Sequence, residues 1–335
     1  MLPAKLDLSK KKYLARSEIS AVGRQAQILR VRNDARIHAY RVIGRQARLA
    51  LEKELLKSAG DGVLTARELF NVGQANEVDV MMARVAFTEQ ELAVKMAENE
   101  LRGAWESLEA IVGMRLPFTR LVDPLIGTMP KLEWDNVLKT VLLESPEVRA
   151  ADLKLRADEI TLRRERVEPI PNLVLEGSYG HNYEVQENVF NVSASIEIPL
   201  FDRNQGTVGQ AKADLMRQQS EILRVQRDLM ERLAAAFVRF ETARQHIVGY
   251  QESILPEAKN AYETSLKSYK ADRLSWPAVL DAQKFYFNKR LAYIDQWVTL
   301  REAQTLINGY LLNSGLMAPQ GPLPAGHIDS NPKPR

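Results

Sequence analysis

Four histidines, His38, His181, His246 and His327, are the side chains best suited to metal binding or proton transfer, and they lie far apart. A helix that holds a metal brings a second ligand one turn on, and neither His38 nor His246 has one at i+3 or i+4. The absence of cysteine excludes disulfides, thiolate metal sites and a Cys nucleophile. No Ser/His/Asp spacing, phosphate-cradling glycine loop or paired-carboxylate motif stands out. Asp and Glu are plentiful, but along the helical stretches they alternate with Lys and Arg, the pattern of a solvated coiled coil. Trp105, Trp134, Trp276 and Trp297 read as packing residues, and Trp276, beside Pro277, is expected to be the most exposed of them. These residues predict no enzyme, no cofactor and no fixed metal site.

The balance of charge narrows the partners. Against 46 basic and 43 acidic residues the net charge of +3 is small. Nucleic-acid binding normally needs a concentrated basic face, so it is excluded here. No run of 18 apolar residues occurs, so no transmembrane helix is predicted. The start, Met1-Leu2-Pro3-Ala4-Lys5, lacks the apolar core of a signal peptide.

The elements that carry these residues are mostly helical, and the fold class is mainly α with a small β part. From about residue 10 to 69, apolar positions three and four apart (Ile19, Val22, Ala26; Leu51, Leu55) predict a long amphipathic helix. Ala59-Gly60-Asp61-Gly62 is a candidate break. A turn near Asn71-Gly73 leads to a second helix ending about Val112. After a Pro- and Gly-punctuated linker, helix is predicted from near Leu132 to Glu168, where Pro169 and Pro171 stop it. The period then changes to two. In Val189 to Leu200, Phe190, Val192, Ala194, Ile196, Ile198 and Leu200 alternate with polar residues. Leu173 to Gly180 gives a partner strand, and residues 181–188 between them a polar loop. Helix resumes after Gly206 to about Ile254, continues past Pro256 to a turn at Asp272, and then runs to about Leu312. Pattern alone fits two readings of the strands: tilted barrel strands in a membrane, or a hairpin covering one end of a soluble bundle.

Phe70-Asn71-Val72-Gly73, followed by Val78-Asp79-Val80 and Ala83, is echoed 199 residues later. There Tyr269-Lys270-Ala271-Asp272 is followed by Ala278-Val279-Leu280 and Ala282. The chain therefore reads as two copies of one unit. The first repeat covers 1–117, with a hairpin tip near 70–76, and a linker covers 118–131. The second repeat covers 132–316, with a β-hairpin at 172–200 and a tip near 269–276, and 317–335 is a Pro-rich tail expected to be disordered.

Four passages together resemble the TolC-type outer-membrane efflux family. They are the tip turn at Phe70–Gly73, its degenerate copy at Tyr269–Gln283, Pro171-Asn172-Leu173, and Ile196-Glu197-Ile198-Pro199-Leu200-Phe201 leading through Asn204 and Gly206 into a long helix. The resemblance covers about residues 5–315. It implies long antiparallel helical hairpins forming a coiled-coil tunnel, and a β-hairpin contributing to a trimeric membrane β-barrel. It also implies a location in the outer membrane with a periplasmic extension. Upstream of Met1 the family pattern would place a helix, a strand pair and a signal peptide, so the resemblance implies an N-terminally truncated chain. The basic run Lys10-Lys11-Lys12 resembles the heavy-metal branch.

What the resemblance implies for function is a passive duct of a tripartite efflux or type I secretion system. Such a duct exports small molecules, with metal ions as one candidate class. The implied partners are two more copies of the chain, a periplasmic adaptor (membrane fusion protein), an inner-membrane pump and outer-membrane lipid. Val72, Gly73 and Gln74, with Asp272, Arg273 and Leu274, match the tips that dock the adaptor. Tyr269 and Asp281 match gate positions, with Arg273 one residue from the third. Phe190, Val192, Ala194, Ile196 and Ile198 would face lipid. The alternative is a soluble or periplasmic coiled-coil scaffold or adaptor without a pore. It is disfavoured because this chain repeats a hairpin and inserts strands between the copies.

Overall fold

The computed structural model describes residues 3–122, 125–184, 186–271 and 273–317. The chain is mainly helical with one antiparallel hairpin. In order, the elements are α1 (Pro3–Asn71), α2 (Glu77–Val112), α3 (Trp134–Glu144), α4 (Pro146–Val167), β1 (Leu173–Asn182), β2 (Glu187–Ile196), α5 (Gln205–Gly249), α6 (Leu255–Lys270) and α7 (Trp276–Asn308). The expected Pro-rich tail falls, after Met317, outside the described residues.

The expected break at Ala59–Gly62 does not occur, and α1 continues through it for 69 residues. The two glycines serve packing instead. A Cβ on Gly60 would stand 3.4 Å from the Phe87 ring, and one on Gly62 would stand 2.8 Å from the Trp276 ring. Conversely, the single helix expected from Leu132 to Glu168 is divided. Ser145 caps α4, its hydroxyl accepting from the Glu147 amide at 3.2 Å, and Pro146 fills the first turn, where no N–H is needed. A π-helical turn at Tyr250–Ile254 leads from α5 into α6, with Pro256 in the opening turn of α6.

The helix expected to reach Leu312 ends at Asn308. Tyr310, Leu311 and Ser314 then take φ values of 56°, 60° and 60°, folding the chain back onto α1. There the buried Asn33 amide donates to the carbonyls of Gly309 (3.0 Å) and Leu312 (2.8 Å). The Asp34 carboxylate accepts from the amides of Ser314 and Gly315.

Packing divides the described chain into two compact units, one made of residues to 27 with 139–230, the other of 28–138 with 231–317. The division cuts across the sequence repeats. In the first unit Ala15 and Ile19 of α1 meet Ala157 of α4, flanked by Leu153 and Ile160. The root of the β-hairpin is also here. Asn204, buried and in the left-handed region at φ 61°, donates to the Glu165 carbonyl (2.9 Å) and carboxylate (3.0 Å). Lys5 donates to the Glu168 carbonyl at 2.8 Å. In the second unit Val42 packs with Leu101, Trp105 and Leu108. The segment expected as a linker lies against this cluster: Phe118 stacks obliquely on Trp105 at 4.9 Å, and Gln46 holds Thr119 and Leu121 by their backbones.

The hairpin differs from expectation at both ends. β1 and β2 extend two residues each into the expected polar loop, with His181 opposite Asn188 and Asn182 opposite Glu187. Polar residues occupy those rungs because backbone pairing, not side-chain burial, forms them. At the other end the ladder stops at Leu173 opposite Ile196, so Glu197 to Leu200 have no strand to pair with, and Pro199 lacks the N–H to continue.

Candidate functional site: helix tips and the β-hairpin

The first tip is a helix end closed by glycine. Gly73 takes φ 78°, a conformation that side-chain-bearing residues rarely adopt. Its amide donates to Phe70 (3.0 Å) and the Gln74 amide to Leu69 (2.8 Å), the paired bonds of a Schellman stop. Asn76 then starts α2 with a capping box. Its side chain accepts from the Asp79 amide at 2.8 Å, and the Asp79 carboxylate receives the Asn76 amide at 3.4 Å. The second tip repeats one of these bonds at the same offset: the Arg273 amide donates to Ser268 at 2.9 Å, as Gln74 does to Leu69. One helix-end bond thus recurs at both tips.

Val72, Gly73, Gln74, Arg273 and Leu274 are all exposed, while Asp272 lies outside the described residues. The gate candidates separate. Asp281 and Arg273 are exposed and form no ion pair among the described residues. Tyr269 is buried, its ring 5.0 Å from Trp276, within an apolar cluster that includes Ala66, Val80, Ala83, Val279 and Leu280. Trp276, expected to be exposed, is only 4% exposed, because the side-chain-free notch at Gly62 admits its ring. Neither the Tyr269 hydroxyl nor the Trp276 indole N–H has a hydrogen-bond partner among the described residues. Burial, and then the charge of Asp79, raise the Tyr269 pKa above the ordinary tyrosine value, so the phenol stays neutral.

Behind the cluster lies a polar group that sequence reasoning missed. Gln283 donates to the Ser58 hydroxyl at 2.7 Å and to Tyr262 at 3.2 Å, and Ser58 and Tyr262 meet at 3.0 Å. These residues lie on α1, α6 and α7, and no short-range spacing announces their meeting.

His327 lies outside the described residues. His38 is half-buried, and burial, followed by the charge of Arg41, lowers its pKa against the opposing pull of Asp34 and Glu302. His181 Nδ1 lies 2.9 Å from Asn188 Oδ1 across the ladder. Among the described residues no group of His, Asp or Glu is arranged to hold a metal ion, and no helix is long and apolar enough to cross a membrane.

The hairpin has the clearest chemical organisation in the molecule. Pairing sets Leu173 opposite Ile196, Leu175 opposite Ala194, Gly177 opposite Val192 and Tyr179 opposite Phe190, so one face is apolar over these four rungs and turns polar only at its last, His181 opposite Asn188. The other face has Val174 opposite Ser195, Glu176 opposite Ser193 and Ser178 opposite Asn191. Every strand residue is exposed on both faces. Leaving so many large apolar side chains in water costs on the order of 10 kcal/mol. A two-stranded hairpin is itself only marginally stable there. Strands of ten residues, apolar on one side and polar on the other, match the barrel pattern, which puts the apolar side in lipid. Phe190, Val192, Ala194 and Ile196 lie on this apolar face, whereas Ile198 lies beyond the end of β2.

Residues 137–306, which include the hairpin and the second tip, match the profile described as outer membrane efflux protein. The chain is 26% identical over 291 residues to the cobalt-zinc-cadmium resistance protein CzcC of Cupriavidus metallidurans, covering 86% of this chain and 70% of CzcC. It is 23% identical over 197 residues to the nickel-cobalt-cadmium resistance protein NccC of Alcaligenes xylosoxydans xylosoxydans, covering 59% of this chain and 40% of NccC. The fold matches the open state of the MtrE outer membrane channel of Neisseria gonorrhoeae with a TM-score of 0.77 at 17% identity, over 92% of this chain and 72% of MtrE. With more than half of its length matching that profile, the chain belongs to the outer membrane efflux protein family, and its place is the outer membrane.

Proposed function

We propose that this protein is the outer-membrane duct of a tripartite metal-efflux system, a homotrimer that passes cations without chemistry of its own. The observation that carries this reading is the two-faced hairpin. Its apolar face is fully exposed within the chain and needs lipid, while its polar face needs water. Closure of such strands into a barrel satisfies every backbone group in a bilayer and leaves no sheet edge. Such a barrel takes strands from several copies, since the described residues of one chain form a single two-stranded hairpin. Cation cargo is supported by the names of CzcC and NccC, both metal-resistance proteins.

On this reading the exposed tip residues Val72, Gly73, Gln74, Arg273 and Leu274, together with Asp272, dock a periplasmic adaptor linked to an inner-membrane pump. Of the gate candidates Tyr269, Arg273 and Asp281, Tyr269 acts through its packing on Trp276 and not through an ion pair. Deleting the gene in its native cell, then exposing the cells to cobalt, zinc, cadmium or nickel, tests the proposal. The expected result is metal accumulation that the intact gene reverses, with the protein cross-linking as a trimer in the outer-membrane fraction. Unchanged metal content, or a monomer in the soluble fraction, would contradict it and favour a scaffold.

A further inference from the structure

We propose that the polar face of the hairpin makes the duct wall cation-selective, and that Glu176 sets the preference. The inference rests on the duct reading above and concerns the selectivity of its lumen.

The argument begins with the register. If the face of Leu173, Leu175, Tyr179, Phe190, Val192 and Ile196 lies in lipid, strand alternation turns Glu176 into the lumen. Its own rung supplies Ser193, and the adjacent rungs of that face supply Ser178 with Asn191 and Val174 with Ser195. Hydroxyls and amides can solvate an ion but cannot neutralise a carboxylate. Glu176 makes no ion pair among the described residues. No Lys or Arg occurs in either strand, and the one other charged residue of this face, Glu187 opposite Asn182, is again acidic. The part of the wall that this hairpin supplies therefore carries fixed charge of a single sign, set among neutral residues.

Symmetry multiplies the effect. In a closed ring of copies each Glu176 recurs at one height, and rings of carboxylates favour cation passage. The preference is strong only within a Debye length of the wall, about 10 Å at 0.1 M salt and about 3 Å at 1 M. Across a wide lumen the excess of cation over anion permeability is therefore largest at low salt and small at high salt. Divalent ions couple twice as strongly to the same field as monovalent ions, so a duct for divalent metals gains most from such a ring.

The test is the reversal potential of the full chain, purified from the outer membrane as a trimer and reconstituted in planar bilayers under a KCl gradient. A cation preference is expected at low salt, collapsing toward unity near 1 M salt. Glu176→Gln, which keeps size and hydrogen bonding, brings the low-salt ratio close to unity, while Glu187→Gln lowers it less. Indifference of the ratio to Glu176→Gln overturns the assignment, as does a wild-type channel that prefers anions. Conductance with no preference at any salt overturns the inference and leaves the duct reading standing. A correctly assembled trimer that carries no ion current overturns both.

Discussion

Replacing Gly62 by alanine probes the packing of the second tip, and Gly103 supplies its control. Both glycines lie inside helices of the same compact unit, Gly62 in α1 and Gly103 in α2. Alanine in a helix interior is favoured over glycine by about 1 kcal/mol, so both changes start with the same gain. At Gly103 nothing lies within 4 Å of the new Cβ, and the gain should be realised. At Gly62 the Cβ would stand 2.8 Å from two ring carbons of Trp276, a rigid side chain set in the cluster of Ala66, Val80, Ala83, Tyr269 and Val279. Overpacking of this kind costs about 1–3 kcal/mol, which outweighs the helix term. Gly103→Ala should therefore be more stable than wild type, and Gly62→Ala less stable, with about 2 kcal/mol between them. Urea unfolding in detergent, followed by far-UV circular dichroism and tryptophan emission, measures the difference. If Gly62→Ala were as stabilising as Gly103→Ala, the Trp276 ring would not occupy the Gly62 notch and the aromatic packing at the tip would be wrong.

Two further perturbations test other parts of the second unit. Asn33→Ala removes both side-chain bonds that hold the carbonyls of Gly309 and Leu312. It should cost about 2–3 kcal/mol and expose the segment after Asn308 to limited proteolysis, read by mass of the fragments. His38 has a lowered pKa in the folded state, so the unfolded chain takes up a proton first as pH falls below about 6.5. Stability from this group is present above that pH and is lost on acidification. The melting temperature of His38→Asn should therefore fall less than that of wild type between about pH 7 and 5, and parallel curves would remove His38 from the account.

Sequence reasoning succeeded where a short-range signal exists. The end of α1 was legible because Gly73 is a helix-stop residue, and the strand faces because a period of two separates the residues onto two sides. The failures have physical causes. Gly60 and Gly62 looked like a break because glycine lowers helix propensity, yet two rings from elsewhere in the chain need the space they leave. The extent of β2 was overread because alternation continues to Leu200, while pairing ends where β1 begins at Leu173. The division at Ser145-Pro146 was available, since a serine cap followed by proline in the first turn is a helix-start signature. The anchoring of residues 309–315 by Asn33 and Asp34 was not available, because those contacts span more than 270 residues and leave no local pattern.

The absence of cysteine allows single-cysteine scanning, and labelling along β2 in intact outer membranes is the most direct test of the central claim. Cysteines placed one at a time at positions 190 to 195 would be reacted with a membrane-impermeant maleimide. The account predicts alternation: protection at Phe190, Val192 and Ala194, which face lipid, and modification at Asn191, Ser193 and Ser195, which face the water-filled lumen. Uniform labelling of all six positions would place both faces of the hairpin in water and contradict the duct.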